Sequence, residues 1–245
     1  DDLSGLEALQ LLAETGVPIL KVNQLPTEQD KEYIIGFAGP DLGLRGRSAG
    51  YMMREAAAIK KASGGSGFNV LVLSYPHDFN GYSLSISAFK DAIAGTDLEI
   101  VRDFAAGFGK LKGYEGALEV IGSLGDQNID FIYGMDDSIL AGGIKAFEDA
   151  GKIMGKDIVS VGSVCNGNRN LIDQGKQYGT TLQSPLHEGQ LAIKLIDEYL
   201  TIGTLEKFIN YTPNPAISQE NIETLALQGY DRKFYSIKDL CTGNW

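Results

Sequence analysis

Ile129-Asp-Phe-Ile-Tyr-Gly-Met-Asp-Asp-Ser-Ile-Leu-Ala-Gly-Gly-Ile-Lys-Ala-Phe-Glu-Asp-Ala-Gly151 is the stretch that decides the fold. Its apolar run, Ile129 to Tyr133, reads as a buried strand. The run stops at Gly134, two carboxylates follow at Asp136 and Asp137, and a helix opens with Ala141, Gly142 and Gly143 on one face. Acid side chains therefore sit at the carboxyl end of a strand and at a helix N-terminus. In open α/β sheets ligands bind at that place.

The same alternation extends in both directions. Val17–Val22, Tyr33–Phe37, Asn69–Leu73, Leu98–Val101, Asp157–Gly162 and Tyr178–Gln183 read as strands. Leu6–Ala13, Gly46–Lys61, Leu84–Ala94, Tyr114–Leu124, Asn170–Gln174 and His187–Leu200 read as helices. Strands alternating with helices predict parallel sheets built from βαβ units. The tail from Thr212 reads as irregular, with some helix around Asn221–Leu227.

The chain has 245 residues, 43% hydrophobic and 22% charged, a balance that excludes a disordered polymer. Lys plus Arg total 21 against 32 Asp plus Glu, for a net charge of -11. That argues against nucleic acid and anionic membranes as partners, since both need basic patches. No apolar run approaches the ~20 residues of a spanning helix, so no direct membrane insertion is expected. Asp1-Asp2 opens the chain without a charged-then-apolar leader, which is also how a mature secreted protein begins. Two cysteines, Cys165 and Cys241, and two isolated histidines, His77 and His187, argue against a structural metal site. The cysteines can pair if the chain is exported, but separate thiols are the default.

Nothing in the chain reads as a phosphate loop, a Gly-x-Ser-x-Gly elbow or a dinucleotide fingerprint. Asp136 and Asp137 offer an acid–base pair, or a helix cap and a neighbour. What recurs is polar residues at strand carboxyl ends: Asn23 and Gln24, Asp41, Asp136 and Asp137, Val164 to Asn166, and Gln183. Each has a capping or loop alternative. Together they suit a hydrogen-bonding cleft for a polar neutral ligand, with aromatic stacking faces. Phe104, Phe108 and Tyr114 are candidate faces, with core packing as the plainer reading. Tyr75, His77 and Asp78 follow a strand and can either reach the cleft or point to solvent.

The chain resembles the type I periplasmic binding proteins, especially the ribose- and galactose-binding group, and the related effector domains of the lac-repressor family. The resemblance rests on Gly16–Asn23, Ile35–Asp41 with Gly46–Gly50, Phe131–Gly142, Val161-Gly162, and Thr180–Pro185 with Gly189, in the family's order. It implies two Rossmann-like lobes joined by three crossings, closing on a sugar by hinge motion. The implied lobes are 1–40 plus 184–213, and 41–183 plus 214–245. Asn23 and Gln24 fall at sugar-contacting positions, and Asp41 at the first crossing. Asp136 takes the place of a ligand-binding Asn, Asp137 that of the acid after it, and Gln183 the second crossing; the third lies near Pro213 to Pro215. The family's Arg in the helix after Asn69–Leu73 falls near Ser85, so that guanidinium contact is missing. The family's Asp after Val161-Gly162 falls near Val164, with Cys165 or Asn166 as substitutes.

The family's opening βαβαβ unit has no counterpart here, so the N-terminal lobe is expected to be incomplete in this chain. The expected ligand contacts are Asn23, Gln24, Asp136, Asp137, Gln183, Asn166, Phe108 and Asp78, with no metal, no cofactor and no catalytic set. The expected role is a monomeric solute-binding protein, periplasmic or extracellular and secreted, with a lipid anchor as an option. It would deliver a sugar or sugar-like polyol to the membrane permease of an ABC transporter. The alternatives are an effector domain of a transcription regulator or sugar sensor, and an enzyme on the same scaffold.

Overall fold

The computed structural model describes residues 2–125 and 127–245. The described residues form eleven strands: β1 (Leu20–Val22), β2 (Gly36–Gly39), β3 (Asn69–Ser74), β4 (Glu99–Ala105), β5 (Phe131–Gly134), β6 (Val159–Val161), β7 (Gly179–Thr181), β8 (Ile209–Tyr211), β9 (Ala216–Ser218), β10 (Ala226–Gln228) and β11 (Phe234–Ser236). The helices are α1 (Asp2–Ala13), α2 (Leu42–Ala62), α3 (Tyr82–Ile93), α4 (Gly109–Ser123), α5 (Asp137–Asp149), α6 (Arg169–Asp173), α7 (Pro185–Ile202) and α8 (Ile237–Leu240).

The larger sheet has six strands in the order β4-β3-β5-β6-β7-β9, parallel except for β9, which pairs antiparallel with β7. Its centre is apolar on both faces, as a sheet covered on two sides requires. Val70 to Leu73 and Phe131 to Tyr133 are fully buried. The pleat sends neighbouring residues to opposite faces. Tyr133 stacks on Phe89 of α3, with ring centroids 4.3 Å apart. Leu73 packs instead against Gly143 of α5.

Each face carries a closely set helix pair, α2 with α3 and α4 with α5. Glycine makes the closeness possible. A Cβ at Gly46 would overlap the backbone carbonyl of Ser85, and one at Gly142 would overlap that of Lys110.

The smaller sheet is β1-β2-β8, all parallel. Helix α7 lies against it through Leu191 and Leu195, which meet the fully buried Ala38. The ends of α7 are well specified. Ser184 accepts the His187 N–H, Pro185 stands in the first turn, and Gly203 closes the helix at φ 85°.

The tail corrects the sequence reading. Instead of helix around Asn221–Leu227 there is a turn, then the antiparallel hairpin β10–β11, then α8. The Asn221 side chain accepts from Ser218 N at 2.9 Å and donates to Ala216 O at 3.0 Å, which fixes a turn rather than a helix start. Cys165 and Cys241 form a disulfide, Cα atoms 5.3 Å apart, so the default of separate thiols was wrong. It ties the tail to the loop after β6, over a small core of Ile172, Leu182, Ile217, Ile237 and Leu240. The start of α2 also moves. It begins at Leu42 rather than Gly46, because Asp41 caps it by accepting Leu44 N at 2.9 Å.

Candidate functional site

A cavity of about 480 Å³ opens at the carboxyl ends of the strands of both sheets. Lys21, Asn23 and Gln24 reach it from β1; Pro40, Leu42 and Arg45 come from the β2–α2 passage. Tyr75 and Phe79 enter after β3, Phe108 after β4, Val164 after β6 and Gln183 after β7. A larger depression of about 570 Å³ lies at the opposite end of the six-stranded sheet, against Lys60, Lys156, Ser160 and Gln177. Several of its polar groups are occupied. Lys60 pairs with Asp130, Gln177 donates to Asp137, and the Ser160 hydroxyl donates to Lys176 O. The smaller cavity is the better candidate because it lies at the carboxyl ends of the strands, where open α/β sheets bind ligands.

Three aromatics form its apolar wall. Tyr75 and Phe108 stack at 5.0 Å, and Phe79 meets both edge-on at 5.3 Å. Phe108 remains 53% exposed, which leaves a ring face free for a ligand. Tyr75 is buried, and its hydroxyl donates to Met135 O at 3.3 Å. Burial, and then the nearby Asp136 charge, push its phenol above the ordinary range, against the Arg45 charge, which acts the other way.

The polar wall is a chain of side chains. Arg45 is 3% exposed. Its Nη2 donates to Ser85 Oγ and its Nη1 to Gln183 Oε1, each at 3.2 Å. Its carbon Cζ lies 5.8 Å from the Tyr75 ring centroid, a cation–π placement. Arg45 Nε has no partner among the described residues. Behind the lining, Asn23 Nδ2 donates to Glu188 Oε2 at 2.9 Å, while Glu188 Oε1 is buried and unpartnered. Burial pushes the Glu188 carboxyl up, opposed by its hydrogen bond from Asn23 and by the Arg45 charge.

Two lining residues hold left-handed backbone, Asn23 at φ 72° and Val164 at φ 80°. Asn tolerates that region; a β-branched residue there stores ~1–3 kcal/mol of strain.

The eight residues singled out in the sequence divide evenly. Asn23, Gln24, Gln183 and Phe108 line the cavity. Asp136, Asp137, Asn166 and Asp78 do not. Asp136 caps α5, accepting from Ile139 N at 2.7 Å and Ser138 Oγ at 2.6 Å. Asp137 is fully buried and turned inward, accepting from Gln177 Nε2 at 2.8 Å and Thr180 Oγ1 at 2.7 Å. Desolvation raises its carboxyl to about 8, against those hydrogen bonds. Asn166 Oδ1 accepts Ser138 N at 3.1 Å, also at the start of α5. Asp78 is exposed on the loop after β3. Adjacent acids at a strand end thus divide into a cap and a core group.

Arg45 is the residue the sequence reading missed. The guanidinium judged absent near Ser85 is present beside Ser85, delivered from α2 instead of α3. A signal existed: Leu42, Arg45, Ala49, Met52, Met53 and Ala56 form one buried stripe of α2, with a single charge in it.

Residues 3–204 match the profile of the periplasmic binding protein domain. No curated protein sequence gives a significant match. A galactofuranose-binding protein superposes with a TM-score of 0.75 at 20% identity, over 87% of this chain and 71% of its own. The binding component of an arabinose ABC transporter from Shewanella sp. ANA-3, bound to L-arabinofuranose, gives 0.74 at 21% identity, over 87% and 68%. An ABC transporter solute-binding protein from Agrobacterium vitis with D-fucose gives 0.74 at 20% identity, over 96% and 74%. At such identities the likeness is one of fold, and the profile match over most of the length is what assigns the family. The chain belongs to the periplasmic binding protein domain family.

Proposed function

We propose that this protein captures a sugar or sugar-like polyol in the cavity between its two sheets and delivers it to the permease of an ABC transporter. The observation that carries the reading is the cavity itself. Residues from the carboxyl ends of five strands, β1, β3, β4, β6 and β7, and from the β2–α2 passage, meet around one space of about 480 Å³. One side is aromatic and the other hydrogen-bonding, the pattern that suits a pyranose or furanose ring with its hydroxyls. Two solved structures of the same fold are described with a bound sugar and a third as a galactofuranose-binding protein, which supports the reading.

In this reading the lobes are 1–40 plus 184–213, and 41–183 plus 214–245, with closure about the passages between them. Asn23, Gln24, Gln183 and Phe108 contact the ligand. In this reading Asp136 and Asp137 serve the structure, as a helix cap and as a core group. The disulfide favours an oxidising compartment, periplasmic or extracellular, and no described helix is long and apolar enough to cross a membrane.

A thermal-shift screen of aldoses, ketoses and polyols tests the proposal, since binding to the folded state raises the midpoint. A shift for one sugar, lost in Gln183→Ala, supports it. No shift with any member of the panel overturns it.

A further inference from the structure

We infer that the preferred ligand is an acidic monosaccharide, a uronate or aldonate, whose carboxylate is received by Arg45. The inference rests on the sugar-binding reading above and narrows it.

The protein carries a net charge of -11, yet the cavity inverts that sign. Among its lining residues are two cations, Lys21 and Arg45, and no Asp or Glu. Lys21 already has its counter-ion, Asp30 at 2.5 Å. Arg45 has none: its two acceptors, Ser85 Oγ and Gln183 Oε1, are neutral. A guanidinium has five N–H donors in a planar fork. Two are used here, and Nε is buried without an acceptor.

A buried charge lacking both a counter-charge and part of its hydrogen-bonding is costly unless something completes it. Glu188 makes no ion pair with Arg45: one carboxylate oxygen accepts from Asn23, and the residue stands outside the cavity lining. A planar carboxylate matches the Nε–Nη edge of the guanidinium with two parallel hydrogen bonds. A neutral hydroxyl satisfies one donor and leaves the charge uncompensated. With its carboxylate at Arg45, the sugar ring lies toward Phe108 and Tyr75, and its hydroxyls toward Asn23, Gln24 and Gln183.

The test is calorimetry on the whole protein with D-galacturonate, D-glucuronate, D-galactonate and D-gluconate. The uronate methyl esters, D-galactose and D-glucose serve as uncharged counterparts. The expected result is binding of at least one acid at least tenfold tighter than its uncharged partner. Arg45→Gln should remove that preference, and Arg45→Lys should retain part of it. The ester comparison uses the wild-type protein, so it stands even if a variant fails to fold. A neutral sugar binding as tightly as its acid, or an ester binding as tightly as the free uronate, overturns the charge assignment and leaves the sugar-binding reading intact. Binding by neither class overturns both.

Discussion

Asp137 should make this protein lose stability as pH rises, which is unusual for an acidic group. Its carboxyl is fully buried, and desolvation raises it from 3.8 to about 8. A folded-state value above the unfolded one means the native protein holds the proton more tightly. The stabilisation is therefore complete below about pH 4 and drains away as pH climbs toward 8. At about 1.4 kcal/mol per pKa unit, the loss between pH 5 and pH 8.5 comes to about 4 kcal/mol, a large share of a typical domain's stability. The perturbation is Asp137→Asn, which mimics the protonated acid and cannot ionise. Urea denaturation of both proteins at half-unit steps across that range gives two curves. The wild-type curve should fall by about 4 kcal/mol more than the variant's. Parallel curves would mean that Gln177 Nε2, Thr180 Oγ1 and their neighbours hold the ionised carboxylate without difficulty, and the burial argument would be refuted.

His187 runs the other way. It is fully buried with both ring nitrogens unpartnered, and burial lowers its folded value, so its stabilisation is present above pH 6.5 and lost as pH falls. His187→Phe should flatten the acid limb of the stability profile, read by chemical denaturation from pH 7 to 5. Reducing the Cys165–Cys241 disulfide opens a loop with a sequence separation of 76. Loop-closure entropy for that size puts the loss at about 4 kcal/mol, to be read as a drop in melting temperature under reductant; an unchanged midpoint refutes it. Gly142→Ala should cost ~1–3 kcal/mol, because a methyl group meets the Lys110 carbonyl where α4 and α5 touch; an unaltered urea midpoint would contradict that packing. Phe108→Ala should weaken sugar binding by ~1–3 kcal/mol with little change in stability, since the ring is half exposed. Calorimetry and denaturation on the same sample separate the two effects.

The alternation of apolar runs and amphipathic segments was enough to read the parallel sheets, because a doubly covered strand has no polar face to disguise it. Where side chains competed with the backbone, the reading failed. Asn221 carries a turn that a short helical period concealed, and Asp41 moved the start of α2 by capping it. The site was half legible. Asn23, Gln24, Gln183 and Phe108 follow from position at a strand's carboxyl end. The split between Asp136 and Asp137 does not, since it depends on Gln177 and Thr180 waiting on one side only, some 40 residues away in sequence. Arg45 was hidden for a similar reason. Its meaning comes from Ser85 and Gln183, which adjoin it only in the folded protein.

Gly46 has a bearing on selectivity that its own position conceals. It follows Arg45 directly, and its missing side chain lets α2 rest on the Ser85 carbonyl. The spacing between two helices thus acts as a ruler for where the guanidinium stands. A larger residue at position 46 would force α2 and α3 apart and so shift the guanidinium relative to the cavity, without replacing any lining side chain. Relatives of this protein can therefore diverge in what they recognise through residues that never meet a ligand. A redesign confined to the cavity walls would overlook the most economical handle on its charge.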